Sequence, residues 1–430
     1  MRIAFITSEY SGLPNSGGIG SYFQHAARCL ANAGQEIEVF TSGFPSQLQS
    51  EKGIDFHQLG ESSSPNFAVH AAEAFLSRHR KAPFDILESA ELNAEGLYAA
   101  RAVPEIANVV RIHSPSIILN RYLDLPPTSW QKLFRSLQQT RIAVGAWRRG
   151  LPIPPIHLGT HVPIWFPNRE TEERETAASA DLVLVMNEEM RRFIRIYWWI
   201  KDEAILQVPN PIQLSANGTS YSGMPNSDPK LGFIGRLEPR KGVLELAHAL
   251  KQILPHYPEW SVVFAGRSVP SCLSGVDVGK MARELLKSFG ARVQFPGFIP
   301  PDQINSLLLG LDLCVFPSLW ESFHYAVLEA MIAGRTIVAT RTGAVAEMLD
   351  QGKAGLLVDP GNVRQLANAL DSLMVNPERR RQLGEAAQKR AISKYNESAI
   401  IPAILDAYRL AIERRDRRVH NKSSAVVTAS

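Results

Sequence analysis

Leu231-Gly232-Phe233-Ile234-Gly235-Arg236-Leu237-Glu238-Pro239-Arg240-Lys241-Gly242 passes from a short apolar strand, through glycine, into a turn carrying fixed cations. A helical pattern follows at once, and strand, glycine turn and helix make the opening unit of a parallel α/β sheet. Downstream, Leu313-Cys314-Val315-Phe316 is a second such strand. After it comes Glu321-Ser322-Phe323-His324-Tyr325-Ala326-Val327-Leu328-Glu329, which sets two carboxylates eight residues apart. The spacing predicts Glu321 at the end of a loop and Glu329 inside a helix over 323–333.

Working outward, short β-branched runs alternate with helical patterns along the chain. Strands are expected at 3–6, 36–40, 54–59, 86–88, 109–112, 182–185 and 205–208, then at 231–234, 261–264, 293–295, 313–316 and 336–339. Continuous apolar strands separated by helices require a parallel sheet covered on both faces. The fold class is therefore α/β, with two Rossmann-like doubly wound domains. The boundary falls near Pro209-Asn210-Pro211, giving domains 1–208 and 209–397. A helix is expected at about 398–415, and 416–430 is read as a disordered polar tail. Alternation fails between Ser114 and Arg169, a stretch with Trp130, Trp147, Trp165 and Arg148-Arg149 that reads as an elaborated insertion.

The 430 residues are 45% hydrophobic and 20% charged, and 46 Lys+Arg against 42 Asp+Glu leave a net charge of +4. That small surplus argues against a dedicated nucleic-acid binder. Cys29, Cys272 and Cys314 are scattered and odd in number, so no disulfide framework or zinc spacing is expected. The first strand lacks the apolar core of a signal peptide, and no stretch is long enough to span a bilayer. A cytoplasmic protein is expected, with the possibility of a peripheral position at the inner face of the membrane. The Asn-x-Ser/Thr triplets at Asn217, Asn396 and Asn421 then carry no glycosylation meaning.

Arg236 and Lys241 stand where ligands of open α/β sheets collect, beyond a strand's carboxyl end. A guanidinium grips two phosphate oxygens while an ammonium acts as a point charge, and both would stabilise a diphosphate leaving group. Glu329 lies among apolar residues of a helix that reads as largely buried, where an unsatisfied charge is costly. The competing readings are a solvated basic turn and a surface ion pair.

At these residues the sequence resembles the retaining glycosyltransferases of family 4, whose GT-B fold implies two facing Rossmann-like doubly wound domains with an interdomain cleft, and the helix at about 398–415 crossing back onto the first domain. Gly235-Arg236-x4-Lys241-Gly242 and Glu321-x7-Glu329, followed by Ala330-Met331-x-Ala333-Gly334, match the family patterns. The resemblance implies that Arg236 and Lys241 bind a donor diphosphate, Glu329 the ribose and Glu321 the sugar hydroxyls. It places Phe323, His324, Tyr325 and Ala326 against the donor, with His324 where glycine is common, which leaves the donor sugar open. It implies transfer from a nucleotide-diphosphate sugar to a glycan, lipid-linked or small-molecule acceptor. Polysaccharide or glycoconjugate biosynthesis would be the setting. No cofactor or metal is called for, since no Asp-x-Asp motif appears.

Gly17-Gly18-x-Gly20 lies between the first strand and a helix, where glycines let backbone N–H groups approach phosphate. A dinucleotide fingerprint with Glu38 as ribose acid fits poorly, because Phe23 replaces the third glycine. His113, ending a strand, is a candidate catalytic residue beside Glu321, Arg236 and Lys241, able to donate to a sugar hydroxyl. Glu88 and Glu91, at another strand end, are candidates for acceptor binding, although an acidic helix start explains them equally well. His57, His70, His79, His157 and His161 lack ligand spacing. Arg191-Arg192-Phe193-Ile194-Arg195-Ile196-Tyr197-Trp198-Trp199-Ile200-Lys201 interleaves cations with aromatics. It reads either as a membrane-surface segment or as an amphipathic helix with Trp198 and Trp199 packed at a domain edge. An epimerase, a Rossmann oxidoreductase and a non-catalytic nucleotide-sugar binder remain as alternatives.

Overall fold

The computed structural model describes residues 1–13, 16–43, 51–60, 66–122, 169–212, 228–271 and 274–429, with side chains to 421. Most of the 114–169 insertion, with its three tryptophans, His157 and His161, lies outside the described residues, as do Asn217 and Cys272.

Two parallel sheets form, as the alternation required. The first contains β1 (Arg2–Thr7), β2 (Glu36–Thr41), β3 (Ile54–Gln58), β4 (Ile86–Ala90), β5 (Ala107–Ile112), β6 (Leu182–Val185) and β7 (Ile205–Gln207) in the order β3-β2-β1-β4-β5-β6-β7. The second contains β8 (Lys230–Ile234), β9 (Ser261–Ala265), β10 (Val293–Gly297), β11 (Leu313–Phe316), β12 (Thr336–Thr340) and β13 (Leu356–Val358) in the order β10-β9-β8-β11-β12-β13. Strand order reverses beside β1 in one sheet and beside β8 in the other. Those switch points are where an open α/β sheet leaves a crevice for ligand. The short β13 was not expected, because its three residues sit between Gly355 and Asp359-Pro360-Gly361 without a run long enough to register.

The inner strands are buried, with Ile3, Phe5, Val109, Leu182, Leu313 and Val315 inaccessible to solvent. One apolar cluster runs from β1 and the helix Gly18–Asn32, through Ile212, into Phe316, Phe323, Val327 and Tyr395 of the second domain and Ile400, Ile404 and Tyr408 of the terminal helix. Trp320 crosses the other way, joining the cluster of Val110, Ile112 and Ile117 in the first domain. The domains therefore share apolar contacts on two sides of the cleft.

The terminal helix Glu397–Ala429 packs on β5 and β6 and does not stop at 415. The expected tail from 416 is corrected: helix continues, and its basic run docks the first domain. Arg414 donates to the carbonyls of Asp181 and Glu203, Arg415 to that of Glu105, and Arg418 to the Asp181 carboxylate at 2.8 and 3.0 Å. Arginine is a good helix former whose fork satisfies carbonyls and carboxylates, so a basic cluster served as an anchor. The helix containing Glu329 starts at Tyr325, two residues later than the pattern suggested, and Lys241 closes a single 3-10 turn (Pro239–Lys241) ahead of the helix Val243–Ile253.

Candidate active site

Loops after β1, β5, β8 and β11 meet between the domains and enclose a cavity of about 300 Å³. Arg236, Lys241, Glu321, Glu329, His113, Gly17 and Gly18 all line it, together with Phe323, His324, Tyr325 and Ala326. Residues far apart in sequence thus share one cleft.

Two glycines hold the loops of the second domain at this separation. Gly242 has φ +67, and a Cβ there would stand 1.9 Å from the Pro317 carbonyl oxygen; Gly343 has φ +48, and its Cβ would stand 1.8 Å from that of Glu321. Only glycine permits both the left-handed backbone and the approach. The turn bearing Lys241 is thereby pressed onto the β11 loop, and the Glu321 backbone onto the loop after β12.

Glu321 is nearly inaccessible and lies between two cations. Its Oε1 is 2.6 Å from Lys241 Nζ and accepts from Arg240 at 2.7 Å. Burial alone would raise its pKa, but Arg240 and Lys241 outweigh that and hold the carboxyl well below the usual range. Burial also lowers the Lys241 ammonium, which Glu321 only partly offsets. Arg240 was not singled out from the sequence, yet its buried guanidinium bridges Glu321, Glu238 at 2.7 Å and the Trp320 carbonyl at 3.2 Å. The signal was present, since a third cation stands between Arg236 and Lys241. Arg236 is half exposed, 3.4 Å from Glu238, and lines the cavity.

Glu329 has its pKa raised to about 7 by desolvation. His324 packs edge-on against Phe316, its Nε2 3.4 Å from Ser318 Oγ, and burial pulls its pKa to about 3, so the ring is neutral. Tyr325 donates to the Pro211 carbonyl at 3.3 Å and stacks on His25.

Across the cleft, His113 is neutral too, because burial and Arg111 push its pKa well down. Its backbone N–H donates to Glu91, its ring lies against Tyr22, and its buried Nε2 has no protein partner among the described residues. Gly17 and Gly18 line the cavity, whereas Gly20 sits beneath the loop, where a Cβ would meet Ser16 Oγ at 2.1 Å. Glu9, which the sequence reading missed, accepts the Gly17 N–H at 2.8 Å and also lines the cavity.

Glu88 and Glu91 do not reach the cleft, and their expected place facing an acceptor is corrected. Glu88 is the centre of a buried network, accepting from Tyr22 at 2.5 Å, from Arg111 at 3.1 Å and from Tyr408 of the terminal helix. Glu91 takes the backbone N–H groups of His113 and Ser114 at 2.7 and 2.6 Å. It acts on the cavity only by setting the loop after β5. Glu38, the rejected ribose acid, is bound to Arg2, Arg78 and His57 inside the sheet. Among the described residues, no three His, Cys, Asp or Glu are grouped to hold a metal ion.

The chain matches the family described as Glycosyl transferases group 1 over residues 221–390 and Glycosyl transferase 4-like domain over residues 17–211. It is 24% identical to a D-inositol 3-phosphate glycosyltransferase of Corynebacterium urealyticum, over 95% of each chain. Among solved structures, sucrose-phosphate synthase from Thermosynechococcus elongatus superposes with a TM-score of 0.71 at 20% identity, covering 95% of this chain and 98% of that one. Anabaena HepE, in complex with UDP-glucose, superposes with a TM-score of 0.65 at 19% identity, covering 94% and 98%.

Proposed function

This chain belongs to the glycosyl transferases group 1 family and is a glycosyltransferase of GT-B fold, and on that premise we propose that it transfers a sugar from a nucleotide-diphosphate donor with retention of anomeric configuration. The observation that carries the proposal is the convergence of Arg236, Lys241, Glu321 and Glu329 on one interdomain cavity. Arg236 and Lys241 face the diphosphate, Glu329 accepts from the ribose hydroxyls, and Glu321 orients the hydroxyls of the sugar. Glu321 stays ionised, so it accepts hydrogen bonds and does not act as a general acid.

The acceptor hydroxyl oxygen attacks C1 of the sugar on the face from which the leaving group departs. The C1–O bond breaks with its electron pair passing to the phosphate oxygen, which then takes the acceptor's proton. Lys241 and Arg236 stabilise the charge that grows there, the task a metal performs elsewhere, so the proposed reaction requires none. His113 Nε2, buried and without a protein partner among the described residues, is placed to hydrogen-bond a donor sugar hydroxyl. Cleft closure excludes water from the reacting centre.

The acceptor class remains as broad as the sequence implied: a glycan, a lipid-linked sugar or a small molecule. The relatives named for D-inositol 3-phosphate make a cyclitol phosphate the first one to try. A cytoplasmic setting belongs to the same proposal, and buried free thiols at Cys29 and Cys314 accord with it. Incubation with UDP-, GDP- and ADP-sugars and a panel of acceptors, followed by NMR of the new anomeric centre, tests the reaction. Retention supports it. An inverted linkage, or donor epimerisation without acceptor, rejects it.

A further inference from the structure

The helix Glu188–Tyr197 begins at the seam between the domains and ends in an exposed patch. At its start Asn187 donates to the Ser322 carbonyl at 2.7 Å, and Glu189 accepts the Gly343 N–H at 2.8 Å. Met190, Ile194 and Trp198 form its buried face. Past that point Ile196 and Tyr197 are each 55% exposed and Trp199 is 76% exposed. The sequence allowed both tryptophans to pack; only Trp198 does. Trp199 has φ +55, a left-handed conformation that a residue with a Cβ seldom adopts. The chain therefore adopts an unfavourable backbone to turn an indole outward.

Cations surround it. Arg191, Arg192, Arg195 and Lys201 lie in this stretch, with no carboxylate between Arg191 and Lys201. Asp202 pairs with Arg191 at 2.9 Å and Arg195 at 3.3 Å. Neither Arg192 nor Lys201 has a carboxylate partner among the described residues, and the Arg174 guanidinium lies 5.7 Å from the Trp199 ring. Indole and tyrosine rings suit the headgroup level of a bilayer, and cations beside them attract anionic lipid.

We propose that this patch docks the protein on an anionic lipid bilayer, with Trp199, Tyr197 and Ile196 entering the headgroup layer and Arg192 and Lys201 meeting lipid phosphates. The helix is about 15 Å long, so docking by its far end holds the cleft that distance from the headgroups. No helix among the described residues is long and apolar enough to cross a membrane, and the proposed contact is peripheral.

Sedimentation of the full chain with vesicles tests this. Binding is expected to equimolar phosphatidylcholine and phosphatidylglycerol but not to phosphatidylcholine alone, and is expected to weaken as salt is raised. Arg192→Gln with Lys201→Gln should weaken it about tenfold or more, and Trp199→Ser should also weaken it, each with an unchanged Tm. Equal binding to both vesicles, no binding to either, or variants that bind like the parent would overturn the proposal. So would light scattering that shows a dimer which Trp199→Ser dissociates, because a second copy would then cover the patch. None of these results bears on transfer to a soluble acceptor, which remains a separate test.

Discussion

Lys241 Nζ lies 2.6 Å from Glu321 Oε1, and the two residues stand on turns that follow neighbouring strands of the second sheet. The carboxylate that the proposal assigns to the sugar is therefore also the counter-ion of the ammonium that it assigns to the diphosphate. On that proposal, two phosphate charges brought by the donor would move the depressed Lys241 pKa back upward.

Lys241→Ala should lower transfer about 10²–10³-fold, the usual cost of removing one donor to a developing oxyanion. Glu321 keeps Arg240, so the far-UV spectrum should be unchanged and the Tm close to that of the parent. Steady-state kinetics with the best donor checks this, and undiminished kcat would remove Lys241 from the mechanism.

Arg240→Met should destabilise the fold by about 3–5 kcal/mol, because it leaves the carboxylates of Glu238 and Glu321 short of a buried partner. Urea unfolding measures the loss. Adding Glu238→Gln to Arg240→Met should recover part of it, which a purely steric effect would not allow.

Donor affinity should rise as pH passes upward through about 7, where Glu329 ionises. Ribose hydroxyls donate to the carboxylate, so the charged form binds better and the protonated form worse. Titration with the intact sugar nucleotide should show up to about a tenfold tightening between roughly pH 6 and pH 8. Glu329→Gln should flatten the profile. The same group opposes folding increasingly as pH rises from the ordinary carboxyl value of 4.5 to about 7, so the Gln variant should gain relative stability above that window.

Glu88→Leu should cost about 3–5 kcal/mol by leaving the Arg111 guanidinium unpaired in the core, with little change in the acceptor KM of the folded fraction. A selective rise in that KM at unchanged stability would restore Glu88 to the acceptor site.

The sheets and the cleft were legible because parallel strands carry unbroken apolar runs, and because Gly235-Arg236-x4-Lys241-Gly242 and Glu321-x7-Glu329 have distinctive spacing. The failures concern polar residues whose partners lie far away in sequence. Glu88 and Glu91 stand at a strand end as site carboxylates do, but Tyr408 comes from a helix 320 residues on. Arg418 fell within the expected polar tail because its partner Asp181 lies 237 residues away. Arg240 was hidden for the opposite reason: it stands between two motif cations, and only coordinates reveal that it reaches Glu321 together with Lys241.

Calorimetric titration of the preferred nucleoside diphosphate into the parent and an Arg236→Ala/Lys241→Ala variant tests the central claim most directly. Two lost charge-assisted contacts should weaken binding roughly a hundredfold or more, with the Tm of the unliganded variant little changed. Equal affinity in parent and variant would contradict it, since the diphosphate would then bind away from this cleft.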